Sequence, residues 1–152
     1  MTGRWTLPDG DASLSVVLNL LRADAPEQIM GAPQDWPRWA VLLPHALAAT
    51  GYIGELSGLV PELARDNATW LLDRTATYLQ AHARLAEALP LAERALAIDE
   101  AALGTDHPTV GIRLNTLALI LRDLGQAEQA RPLAERALII TNTVQKSPLD
   151  AN

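Results

Sequence analysis

Few side chains in this sequence have a chemical reach beyond packing. Three histidines, His45, His82 and His107, are scattered with no spacing that would bring two imidazoles to one metal ion. Cysteine is absent, so thiolate ligands and disulfides are excluded. Asp106-His107 joins an acid to an imidazole, the combination that general base catalysis uses. It stands in the turn Gly104-Thr-Asp-His-Pro108, however, where Asp106 capping the next helix is the simpler role. Glu93-Arg94 and Glu135-Arg136 recur as neighbours. Adjacent helical residues do not face each other, so these read as a solvated ridge in which each charge has its own partner. No Gly-x-x-x-x-Gly-Lys-Ser/Thr loop is present to cradle phosphates. The expectation is a non-enzyme with no cofactor and no metal, whose chemistry is recognition.

Charge narrows what is recognised. The 152 residues carry a formal net charge of −6 and a pI near 4.9, whereas attraction to nucleic acid or anionic lipid needs clustered Lys and Arg. The expected partner is a protein or peptide, with no nucleic acid and no membrane. The apolar run from Leu14 to Leu21 is too short to span a bilayer and lacks the basic lead of a signal peptide. A cytoplasmic location follows as the default. Hydrophobic residues make up 49% of the chain, yet aromatics only 4% and Phe is absent. Helices that meet through Ala and Leu approach closely, while sheets draw on β-branched and aromatic surface, so the composition predicts an all-α fold.

A series of helices must position whatever does the recognising. Residues 1–34 read as a turn-rich lead-in with a short helix, capped by Asp11 and turning Val16, Val17, Leu20 and Leu21 inward, followed by a Pro- and Gly-containing linker from Ala23. Residues 35–67 read as a divergent helical pair. Its first helix starts at Asp35-Trp36-Pro37, places Trp39, Leu42, Leu43 and Ala46 on one face, and ends at Gly51 and Gly54; its second spans 56–64. Asp66 or Asn67 is placed to cap a third helix reaching His82, in which Leu71, Leu72, Thr75, Ala76 and Leu79 form one buried stripe. Helices over 85–103, 110–124 and 127–143 complete the chain. Pro90 and Pro132 fall early in two of them, where a proline costs least.

Pro90-Leu-Ala-Glu-Arg-Ala-Leu96 and Pro132-Leu-Ala-Glu-Arg-Ala-Leu138 are the same seven residues 42 positions apart. A fixed period of a few tens of residues marks stacked supersecondary units. The same shift carries Leu72, Ala76, Leu79, Ala88, Ala92 and Ala95 onto Leu114, Ala118, Leu121, Ala130, Ala134 and Ala137. This order of large and small positions resembles the tetratricopeptide-repeat family. Gly125 matches the family's turn glycine, and Ala83 replaces it in the earlier copy, which predicts a tighter or less regular first turn. The period exceeds the common value of about 34 and resembles the longer variant of kinesin light chains and many bacterial proteins. The resemblance implies an α-solenoid of antiparallel helix pairs in a right-handed superhelix, with repeats at 68–110 and 111–146 and a tail at 147–152. Trp36-Pro-Arg-Trp39, Leu42-Leu-Pro-His-Ala46, Ala68-Thr-Trp-Leu-Leu-Asp-Arg74 and Thr77-Tyr-Leu-Gln80 are similar to the segment joining a nucleotide-binding module to its tetratricopeptide tail in actinobacterial NB-ARC-type signalling ATPases.

In that family the first helices of successive pairs line a concave groove. The matching positions off the packing stripe are Trp70, Asp73, Arg74, Thr77 and Gln80 in one repeat, and Ile112, Asn115, Thr116, Leu119 and Arg122 in the next. The resemblance implies a non-catalytic module that holds a peptide or partner helix in this groove. Asn115, able to hydrogen-bond a peptide backbone in both senses, and Arg122, able to fork onto a carboxylate, lead the set. The competing reading for each is an ordinary solvated helix residue. Trp36 and Trp39 read as core or helix staples, and Trp70 equally as core or binding anchor. The alternative function is the sensor end of a nucleotide-dependent signalling protein whose NTPase lies elsewhere, which an in-frame upstream phosphate-binding loop would select. Each repeat leaves an apolar face for its neighbour, and nothing after Lys146 is suited to cap it. The last helix is therefore expected to expose parts of Ala130, Leu133, Ala137 and Ile140 and to self-associate.

Overall fold

The computed structural model describes residues 10–52 and 62–146. Among these, every regular element is helical: α1 (Gly10–Asp24), a 3-10 turn (Pro33–Asp35), α2 (Trp36–Gly51), α3 (Glu62–Ala81), α4 (Leu85–Leu103), α5 (Pro108–Asp123) and α6 (Ala127–Lys146). The closest packing is between sequence neighbours: α3 pairs with α4 and α5 with α6, while α5 also lies along α4 and α3 rests on α1 and α2. This nearest-neighbour stacking makes an all-α solenoid.

The repeated residues pack as repeated contacts. Ala76 and Leu79 of α3, Ala88 and Ala92 of α4, Leu117, Ile120 and Leu121 of α5, and Ala130 of α6 form one core that runs through both pairs. Val110, Leu114, Ala137 and Ile140 form a second between α5 and α6. Gly111 permits that crossing, since a Cβ there would stand 3.1 Å from Ile140 Cγ2. The predicted stripe Leu71, Leu72, Thr75, Ala76 and Leu79 is buried throughout. Pro90 and Pro132 are each the sixth residue of a helix that continues through them.

The first third of the chain corrects several expectations. Leu18 is buried, with Leu14 and Leu21 packed beside it against α2 and α3, whereas Val16, Val17 and Leu20 are 58%, 44% and 63% exposed. The helix carries two apolar stripes, and only its neighbours decide which turns inward. Asp11, predicted ahead of the helix, is a residue of α1, which is described from Gly10. The predicted linker buries Ala25, Ile29 and Ala32 and is fixed by two indoles. Trp39 Nε1 donates to the Pro26 carbonyl at 3.1 Å and Trp36 Nε1 to the Ile29 carbonyl at 3.0 Å. In α3, Asp66 and Asn67 lie well inside the helix rather than at its cap. Asn67 is buried, and its Oδ1 accepts from Arg22 at 3.0 Å, which ties α3 to α1. Gly54, most of the helix expected at 56–64, and the tail at 147–152 lie outside the described residues.

Both helix pairs close with the same turn. Arg84 N–H reaches the Leu79 carbonyl at 2.8 Å and Ala83 N–H the Gln80 carbonyl at 3.0 Å; Gln126 and Gly125 repeat this onto Leu121 and Arg122 at 2.8 and 2.9 Å. This is a Schellman lock. It requires a left-handed residue, which is Ala83 at φ +58° in one copy and Gly125 at φ +80° in the other. The first turn is therefore neither tighter nor less regular than the second. Alanine carries the strain of the same geometry, about 1–2 kcal/mol, and glycine returns part of any gain through unfolded-state entropy. Ala83→Gly should raise the unfolding free energy by roughly 0.5–1 kcal/mol in urea titrations, and Gly125→Ala should lower it.

Candidate protein-binding groove

The first helices α3 and α5 lie side by side and enclose a cleft of about 210 Å³, lined by Met30, Asp73, Arg74, Thr77, Gln80, Ile112, Asn115, Thr116 and Leu119. The cleft thus gathers the predicted groove residues apart from Trp70 and Arg122. Trp70 lines an adjoining cleft of about 380 Å³ with Arg22, Arg74, His107 and Arg113 among its neighbours. Its ring takes the guanidinium carbons of Arg22 and Arg74 at 5.0 and 5.8 Å, a cation–π contact with α1 and with its own helix. Arg122 stands outside both clefts, 62% exposed and bonded at 2.8 Å to the adjacent Asp123.

The lining residues differ in what they can offer. Asp73, Gln80 and Thr116 are buried. Gln80 Nε2 donates to Asp123 Oδ2 at 2.7 Å, joining the ends of α3 and α5. That bond, ahead of Arg122, holds the Asp123 carboxyl below the usual range. Thr77 Oγ1 donates back to the Asp73 carbonyl at 2.9 Å. Met30 and Ile112, each 53% exposed, remain open with Asn115, and Leu119 is half-buried beside them. Met30 belongs to the segment read as a linker, and so nothing in its own surroundings in the sequence pointed to the cleft.

The polar centre behind the cleft is Arg113, which sequence reasoning passed over. Its Nε donates to Asp99 Oδ2 of α4 at 2.8 Å and its Nη1 lies 3.4 Å from Asp73 Oδ2 of α3. One buried guanidinium therefore holds three helices. The match is incomplete, because Oδ1 of both aspartates lacks a hydrogen-bond partner. Burial raises the Asp73 pKa, and Arg113, Thr116 and Arg74 pull it down without offsetting that cost. Asp73 is thus a load shared between repeats rather than a side chain free to meet a ligand.

The remaining candidates settle into structural places. His107, rather than Asp106, caps α5, with Nδ1 accepting from Thr109 N–H at 3.2 Å. Arg136 bonds to Glu100 at 2.5 Å and to the Thr105 carbonyl at 3.0 Å, fastening the 104–108 turn to α6. His82 packs its ring 4.6 Å from Trp36 and 4.3 Å from Tyr78. Among the described residues, no three His, Cys, Asp or Glu side chains converge as metal ligands, and no helix is long and apolar enough to cross a membrane.

A family model described as Tetratricopeptide repeat matches residues 66–141, from the first turns of α3 to late in α6. A search of the curated proteins finds no match for the chain.

The triad generates two opposed outcomes. Arg113→Met strands two carboxylates in the interior and should cost about 3–5 kcal/mol of stability. Asp73→Asn should stabilise the protein at neutral pH. With its folded pKa above the unfolded value, Asp73 binds its proton more tightly in the native state, so stability falls as pH rises through the window between the two values. The gain in Tm from Asp73→Asn should fade as the pH is lowered to the unfolded value. Thermal melts of both variants across pH measure this, and a Tm lowered by Asp73→Asn at pH 7 would make the Asp73–Arg113 pair net stabilising.

Proposed function

As the chain belongs to the tetratricopeptide-repeat family, whose repeats mediate protein–protein interaction, we propose that it is a non-catalytic module that holds a short peptide or a partner helix against α3 and α5. The observation that carries this reading is the cleft between those helices, where Met30, Ile112 and Leu119 offer apolar surface beside the exposed amide of Asn115. An apolar ligand side chain would rest on the first three, with its main chain bonded to Asn115. Arg74, half-buried at the edge, supplies a cation for an acidic ligand residue. Arg122, outside the cleft and already paired, takes a lesser part than its residue type suggested.

The finer family reading is also a proposal. The period of 42 residues supports the longer repeat variant. The alternative function, a sensor end of an NB-ARC-type signalling protein, draws on residues 36–80, where Trp36 and Trp39 knit α2 to the segment before it, to Tyr78 of α3 and to His82 just past its end. A cytoplasmic location remains the companion expectation to either.

A peptide library panned on the purified chain tests the groove. The best binder should lose roughly tenfold in affinity to Asn115→Ala and more to Met30→Asp or Leu119→Asp, while Arg122→Ala stays within about twofold. Affinity unchanged by all three cleft substitutions would remove the assignment.

A further inference from the structure

Among the described residues, the exposed face of α1 and the exposed face of the α5–α6 pair are complementary. When α1 is laid on α5 so that Leu14 meets Leu114, Leu18 falls on Ala118 and Leu21 on Leu121, and both sets face the helices that follow. The same register places Ser13, Val16, Val17 and Leu20 on Arg113, Thr116, Leu117 and Ile120. In α5 those four are buried on the preceding pair, Arg113 between Asp73 and Asp99, Leu117 and Ile120 among Ala76, Leu79, Ala88 and Ala92. In α1 all four are exposed. The positions by which α5 docks are exposed in α1.

The α5–α6 pair shows the converse. The groove that receives α5 includes Asp73 of α3 and Ala92, Leu96 and Asp99 of α4, and a shift of 42 residues carries these onto Asn115, Ala134, Leu138 and Thr141. The second set lines an open cleft of about 460 Å³ between α5 and α6. Ala92 and Asp99 are 1% and 0% exposed, whereas Ala134 and Thr141 are exposed and Leu138 is 61% exposed. Of the four positions expected from sequence to be open, Ala130, Ala137 and Ile140 are buried against α5 and Leu133 is partly buried on the same cores; the exposed α6 residues of this cleft are Ala134, Leu138 and Thr141.

Charge selects the occupant. The filled groove presents two carboxylates and receives an arginine. The open one presents neutral Asn115 and Thr141, the latter already donating to the Ala137 carbonyl at 3.0 Å. A helix carrying arginine at this point would bury a cation with no counterion. α1 carries Ser13 there, followed by Val17 and Leu20 at the spacing of Leu117 and Ile120. We propose that the α5–α6 cleft takes α1 of a second copy of this chain, so that copies stack head to tail and the solenoid continues across the junction. Such a contact is heterologous, and it propagates to a ring or a filament instead of closing as a two-fold dimer. It shares Ile112 and Asn115 with the α3–α5 groove, whereas Leu20 and Leu138, on which its test turns, lie outside that groove.

Sedimentation velocity over a concentration series tests the proposal. Wild type should grow beyond a dimer with concentration. Leu20→Asp and Leu138→Asp, both at exposed positions, should each be monomeric alone, with association weakened roughly 30-fold or more. Mixed in equal amounts, they should form a one-to-one dimer and nothing larger, because each retains one good end; this mixture also verifies that both variants are folded. Ser13→Arg should likewise fail to associate, and adding the Asn115→Asp/Thr141→Asp double variant, itself monomeric, should restore growth by recreating the arginine–carboxylate cluster. A strict monomer at every concentration would overturn the proposal, as would self-association that survives Leu138→Asp or Leu20→Asp alone, the mark of a symmetric contact through one end.

Discussion

The guanidinium of Arg113 is the contact on which the arrangement of the repeats depends. Ala–Leu packing draws helices together but fixes their sliding and rotation loosely, because many registers bury similar apolar area. A planar donor shared between Asp99 and Asp73 has one geometry. It sets α5 against α3 and α4 together, and so defines the walls of the cleft in which Thr77, Asn115 and Leu119 meet. The arrangement is costly, with two unpartnered carboxylate oxygens and a raised Asp73 pKa. The cost is consistent with a role in specifying position more than in adding stability.

The second pair presents the equivalent positions without charge. Asn115 and Thr141 stand where Asp73 and Asp99 stand one repeat earlier, and the arginine has no counterpart among them. Identical packing residues therefore coexist with different side chains at the equivalent outer positions of the two pairs. In a solenoid this is how units with a common interior are kept in order, since the residues flanking the shared Ala and Leu positions decide which neighbour fits.

How much was legible follows from where the information sits. The bounds of α4 and the stripe of α3 were readable because helical periodicity and duplication point the same way. The inward face of α1 was not, because Leu14-Leu18-Leu21 and Val17-Leu20 are both apolar and the choice belongs to Asn67, Ala68 and Leu71 of a helix far along the chain. Ala25 and Ile29 looked like linker residues, since their burial is imposed by Trp36 and Trp39 reaching back to main-chain carbonyls. Asp73 occupies a groove position by pattern and becomes interior because the next repeat brings Arg113. The candidate groove was thus visible as a set of positions, and the division of that set into open and committed residues was set by partners the local sequence does not contain.

The run of α3–α6 through a single core, with α1 and α2 joined to it chiefly through α3, also shapes how the chain opens and closes. Asp99 and Arg113 are buried among three helices at once, so amide protons near them should exchange with solvent deuterium only when several helices open together. Those of α1 are released by lifting one helix from Asn67 and Trp70. Exchange should therefore be fast in α1 and slow further along the chain, around Asp99 and Arg113.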